Sequence, residues 1–254
     1  MEAVRQLVCE LFHKPLVKGK LMADRLRKLG IVMTVIGVVF AIAGVYAFTQ
    51  VQAGYASLQA FSEAQGVELS YNDAGQLVDR GTTEGAEAIM ALLEDEWGYP
   101  VKASELDPND PLVNTATEYM FMMATIGHHV LDGTQTVVLT DDVDYNGKTF
   151  AAGTYEVPVD GRYWTGFDRM DPLDGPARGQ AWSGTVHGLF GELGVGTVTA
   201  STLQLGLGVS ALIFGLGLTI ALLGAGLFWA GKGKEDDTYN VLVESAPKPE
   251  PASV

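Results

Sequence analysis

"IVMTVIGVVFAIAGVYAF", residues 31–48, holds eighteen residues without a charge, and whether it crosses a bilayer decides the fold. A hydrocarbon core about 30 Å thick is spanned by roughly 20 apolar residues in a helix. We read a transmembrane helix over residues 29–50. The competing reading is a cleaved signal peptide, with basic residues ahead of a short apolar core and "AIA" at 41–43 as its cleavage site. The apolar run continues through Phe48, which a signal core does not need, so the span is preferred.

A second uncharged block of thirty-nine residues runs from Leu193 to Gly231 and predicts a second transmembrane helix over 205–230. Arg25, Arg27 and Lys28 stand just before the first span, and Lys232 and Lys234 just after the second. Lys and Arg flanking a span stay on the cytoplasmic side. Both termini are therefore expected in the cytoplasm, with the chain in the cell (plasma) membrane and residues 51–204 outside. That middle segment carries 6 Lys and Arg against 23 Asp and Glu, a net charge of −17, where the whole chain carries −15. Such a surface repels phosphates and excludes nucleic acid as a partner. The one cysteine, Cys9, lies on the predicted inner side, so the outer segment holds no disulfide.

The expected fold class is thus a membrane protein of two transmembrane α-helices flanking an acidic α+β extracytoplasmic domain. Residues 1–28 form a cytoplasmic segment and 231–254 a polar, Pro-rich tail that cannot bury a core and is expected to be disordered. Two readings fit residues 1–21. Val4, Leu7, Val8, Leu11 and Phe12 have the spacing of an amphipathic surface helix; alternatively, "MADRLRKLG" from Met22 is the natural start.

Within 51–204 the first helix is expected to continue on Val51, Tyr55, Leu58 and Phe61 until Gly66 stops it. "VELSYNDAGQLV" (67–78) reads as a hairpin. Ala86, Ile89, Met90, Leu93 and Trp97 mark an amphipathic helix. Thr115 and Glu118 make a capping box that opens a buried helix through Leu131, closed by Gly133. "TVVLTDDVDYNGKTFAAGTYEVPV" (136–159) predicts a second hairpin turning at Asn146-Gly147.

Two clusters invite a metal. His128 and His129 precede Asp132, but adjacent helical residues point about 100° apart and do not grip one ion as an i, i+4 pair does. A third ligand would have to come from His187 or from distant acids, and the structural reading is a pair of histidines at a carbonyl-rich helix end. "DVDYNG" (142–147) opens like a calcium loop, with Asp142, Asp144 and Asn146 as ligands, yet Gly153 stands where the bidentate Glu belongs. An Asn-Gly hairpin explains it without an ion. No cofactor is expected; the alternative is a weakly bound divalent cation at these residues.

The spans themselves point to partners other than lipid. In the first, Gly30, Gly37, Ala41 and Gly44 share one side, which allows close approach of another helix. In the second, Gly208, Gly215 and Gly226 share one side and Gly206, Gly217 and Gly224 nearly the opposite one. Two small-residue faces imply two neighbours: the chain's own first span, and a second copy or a different membrane subunit. Neither span carries an intramembrane acid or base of the kind that pumps use.

The stretches "QLVDRGTTEGAEAIM" (76–90), "LDPNDPLVNTATEYM" (106–120), "DGRYW" (160–164) and "ELGVGTVTASTLQ" (192–204) resemble a family of small actinobacterial two-span membrane proteins without an established activity. The likeness covers about residues 22–231. Some relatives carry the name of an aromatic ring-opening dioxygenase small subunit, a chemistry whose iron needs two histidines and a carboxylate. What the resemblance implies is layout. The expected role is a non-catalytic accessory or interaction subunit, with a metal-dependent enzyme or ligand sensor as the alternative.

Overall fold

The structure is a computed structural model and describes residues 22–232. The expectations for residues 1–21 and for the tail beyond Lys232 lie outside the described residues. Two helices are long and apolar enough to cross a membrane: α1, described over Met22–Gln65, and α5, described over Gly184–Lys232. The chain divides at 52/53 and 204/205 into two compact units, the paired helices and the segment Ala53–Gln204, so each long helix contributes to both.

In the helix unit the chains of α1 and α5 run antiparallel: Gly30 lies against Gly224 and Phe228, Gly37 against Gly217 and Ala221, and Gly44 against Phe214. Ala23, Gly30, Gly37 and Gly44 are the buried positions of α1 here, and Ser210, Gly217, Gly224 and Gly231 those of α5. Every step is seven residues, the repeat that keeps one seam facing a partner with a slight left-handed supercoil. Small residues at all eight let the two backbones touch. The large side chains, Val35, Ile42, Leu212 and Leu222 among them, point away and are exposed.

The 53–204 unit is built around α3 (Ala116–Leu131), which has no exposed residue. Its capping box is complete: the Thr115 hydroxyl accepts from the Glu118 N–H, and the Glu118 carboxylate accepts the Thr115 N–H at 2.8 Å. Against it lie α2 (Thr83–Ala91) and a single π-helical turn, Leu92–Glu96, which buries Leu92 and Leu93. Gly127 carries no side chain because a Cβ there would stand 3.1 Å from the Trp97 ring. Gly66 ends α1 with φ +62°, a backbone region glycine enters freely. On that last stretch Phe61 is exposed and Ser62 is buried instead, because the Ser62 hydroxyl bonds the Tyr119 hydroxyl at 2.8 Å.

Residues 67–78 form only an irregular hairpin, with a Tyr71–Leu77 bridge and an Asn72 side chain accepting the Ala74 and Gln76 N–H groups. The segment expected as one hairpin is two stacked ladders. β1 (Thr134–Leu139) pairs β4 (Gly153–Pro158), and β2 (Val143–Tyr145) pairs β3 (Lys148–Phe150). Between them Thr140–Asp142 face only Ala151 and Ala152, so the register slips by one residue and the ladder breaks there. After Pro158 the chain turns through Gly161 (φ +70°) to α4 (Asp174–Ala181) and then α5.

Candidate functional site

The predicted packing residues sort into two sets. Gly30 and Gly224 face each other reciprocally: a Cβ on Gly30 would stand 2.6 Å from the Gly224 carbonyl oxygen, and one on Gly224 would stand 2.7 Å from that of Gly30. Gly37 and Gly217 repeat the arrangement at 2.6 and 2.7 Å, with the Ala41 backbone also against Gly217. Gly44 meets Phe214, and Gly206 meets a Val51 methyl. Gly208, Gly215 and Gly226 are different, since nothing lies within 4 Å of a Cβ at any of them. The structure thus gives one glycine face of α5 to α1 and leaves the other uncovered among the described residues. Ala23, Ser210 and Gly231 complete the seam and were not singled out from the sequence. Their signal was the seven-residue spacing; Ser210 is 1% exposed and returns its hydroxyl to the Leu207 carbonyl at 2.8 Å.

The histidines go separate ways. His128 Nε2 lies 3.7 Å from Asp132 within its own helix turn, whereas His129 Nε2 lies 3.1 Å from the Asp79 carboxylate. Their rings diverge, centroids 5.5 Å apart, as neighbouring helical positions must. The helix ends at Asp132 in right-handed geometry, with the Gly133 N–H reaching the Val130 carbonyl, so Gly133 serves there without a left-handed conformation. In the hairpin, Asn146 (φ +49°) and Gly147 (φ +75°) form the turn, the Asp144 carboxylate accepts the hydroxyl of its cross-strand partner Thr149 at 2.6 Å, and Asp142 accepts the Ala152 N–H at 2.8 Å. These acids tie the turn and the ladder break. Among the described residues no three His, Cys, Asp or Glu side chains gather to hold a metal ion.

Other polar groups brace the fold. Glu105 accepts from Gln204, from the Thr117 N–H and from Lys102; burial alone would raise its pKa, but these bonds hold it below the ordinary value. Asp168 is held low by the Met170 N–H and the Tyr145 hydroxyl.

Two recesses open in the 53–204 unit. One, of about 260 Å3, lies between the end of α1, α3 and the start of α5 and is lined by Phe61, Tyr119, Met122, Ile126, Leu189 and Leu193. The other, of about 330 Å3, is walled by aromatic rings: Tyr163, Trp164, Trp182, Phe190 and His187. Neither was legible in the sequence beyond a local richness in tryptophan, because the rings of the second come from the 163–164 loop, the turn after α4 and the start of α5. Comparison of the chain with protein-family models, with curated proteins and with solved structures finds no match.

Proposed function

We propose that this chain is a two-pass integral membrane protein of the cell membrane, with both termini cytoplasmic, acting as a non-catalytic accessory subunit that docks onto a second copy or another membrane protein. The observation that carries the reading is the division of small and large residues on the helix pair. Within the most apolar window of each helix only 11% of residues are buried, so valine, leucine and isoleucine side chains face outward; the core helix of a water-soluble protein has the reverse arrangement. Lipid is the medium that accepts such a surface. Lipid is as apolar as leucine, so helix pairing there relies on close backbone packing, which the glycine seam supplies. The uncovered Gly208, Gly215 and Gly226 offer the same packing to a further helix.

The test is extraction followed by identification of companions. Membranes washed with alkaline carbonate retain the chain, and mild detergent releases it together with a second copy or another protein. Gly215→Leu weakens that association without releasing the chain from the membrane. Recovery in buffer without detergent would refute the span, and a lone monomer in both chains would refute docking.

A further inference from the structure

We propose that the aromatic recess walled by Tyr163, Trp164, Trp182, His187 and Phe190 binds a neutral polyhydroxylated ring, a sugar unit. The inference goes beyond the membrane reading and does not depend on it.

The walls brace one another. Tyr163 stacks on Trp182 with ring centroids 5.6 Å apart, Phe190 meets Trp182 edge-on at 6.0 Å, and His187 meets Trp164 edge-on at 5.1 Å. The Trp182 indole donates to the Arg162 carbonyl at 3.0 Å, and the Trp97 indole donates to the Tyr163 hydroxyl at 2.7 Å. Trp164 and Thr165 occupy the middle of a tight turn closed by the Gly166 N–H on the Tyr163 carbonyl at 2.7 Å. The Arg178 guanidinium lies 3.6 Å over the Trp164 ring and holds it in place. Even so, Trp164 and Tyr163 remain 39% exposed, unlike the buried Trp182.

The polar atoms left over define the ligand. His187 Nδ1 lies 3.0 Å from the Ser183 carbonyl, which only accepts, so Nδ1 carries the proton and Nε2 of the neutral ring is an acceptor. Among the described residues that Nε2, the Trp164 indole N–H and the Thr165 hydroxyl have no partner, and the Tyr163 hydroxyl still has its own proton to donate. A sugar matches this set: its C–H faces are apolar and lie on aromatic rings, while its hydroxyls both donate and accept at the edge. An organic cation would also favour aromatic faces, but Arg178 already occupies that role on Trp164 and repels a second positive charge. An anion would feel the same Arg178 charge, but no Lys or Arg lines the recess to donate a hydrogen bond to it. The volume of about 330 Å3 suits one sugar ring.

The experiment uses the full chain in lipid nanodiscs free of glycoside detergent, with tryptophan fluorescence followed as glucose, mannose, galactose and arabinose are added. Short oligosaccharides of the same sugars form a second arm, and choline chloride and sodium phosphate serve as the charged alternatives. A saturable response to at least one sugar is expected; tighter binding of its oligosaccharide assigns a glycan chain, and equal affinity a free sugar. Trp164→Ala weakens binding about tenfold. His187→Phe keeps the wall and removes the acceptor, so it also weakens binding, and it carries the test if Trp164→Ala fails to fold by circular dichroism. No saturable response to any sugar, saturation by choline or phosphate instead, or unchanged sugar affinity in the folded variants would each overturn the proposal.

Discussion

Glu118 is 2% exposed, and its Oε2 accepts the N–H groups of both Asn114 and Thr115. Burial pushes its pKa above the ordinary 4.5, although those hydrogen bonds oppose the shift. A carboxyl whose folded value is raised lends the fold a stability that is complete below the unfolded value and is lost as pH rises through the folded one. Glu118→Gln keeps an oxygen for both N–H groups and removes the titration. Thermal midpoints of the two chains should therefore diverge as pH rises above about 4.5, with the native chain falling behind; parallel curves would refute this. Tyr71 poses the opposite problem, since its buried hydroxyl has no partner among the described residues. Burial, then the nearby Glu118 and Asp107 carboxylates, push its pKa up to about 12. Removing an unsatisfied buried hydroxyl while keeping the ring is neutral or favourable, so Tyr71→Phe should leave the thermal midpoint unchanged or raise stability by up to about 1 kcal/mol. A clear drop would mean that the hydroxyl is satisfied after all.

At the scale of elements, the two glycine faces of α5 predict opposite outcomes for one kind of substitution. Gly217 is pressed on the α1 backbone between Gly37 and Ala41, where no side-chain rotation relieves a clash. Gly217→Leu should force the helices apart and destabilise the pair by at least the roughly 1–3 kcal/mol typical of overpacking. Gly215→Leu meets nothing within 4 Å and replaces a poor helix former by a good one, so the isolated chain should keep its stability. Unfolding of both variants in one detergent, followed by circular dichroism, separates them; equal losses would dismiss the seam. The heptad of small residues was readable in outline, because Gly30, Gly37 and Gly44 stand seven apart. Which α5 glycines turn to α1 was not readable, since two nearly opposite faces carry similar patterns and only pairing chooses between them.

For the whole molecule, the charge pattern predicts where each part resides. Reporter fusions after Lys232 and before Met22 should read inside, and one inserted at the Asn146-Gly147 turn, whose Gly147 has open space around it, should read outside. The physical basis is that Arg25, Arg27 and Lys28 resist translocation while carboxylates contribute little to orientation. An inside reading at the turn would invert the layout proposed here.

Length and hydropathy determined by themselves that two long apolar helices bracket an acidic segment, because burial of apolar surface depends on composition over a window and not on any partner. Local chemistry likewise determined the Thr115 capping box, the Gly66 stop and the Asn146-Gly147 turn, each set within a few residues of chain. Tertiary structure alone decided that His128 and His129 look to different carboxylates, that the long hairpin breaks into two ladders with slipped register, and that Tyr163, Trp164, Trp182 and His187 enclose one recess. Those outcomes depend on contacts between residues distant in sequence, such as His129 with Asp79 or Trp97 with Tyr163, and no local pattern encodes which distant side chain arrives.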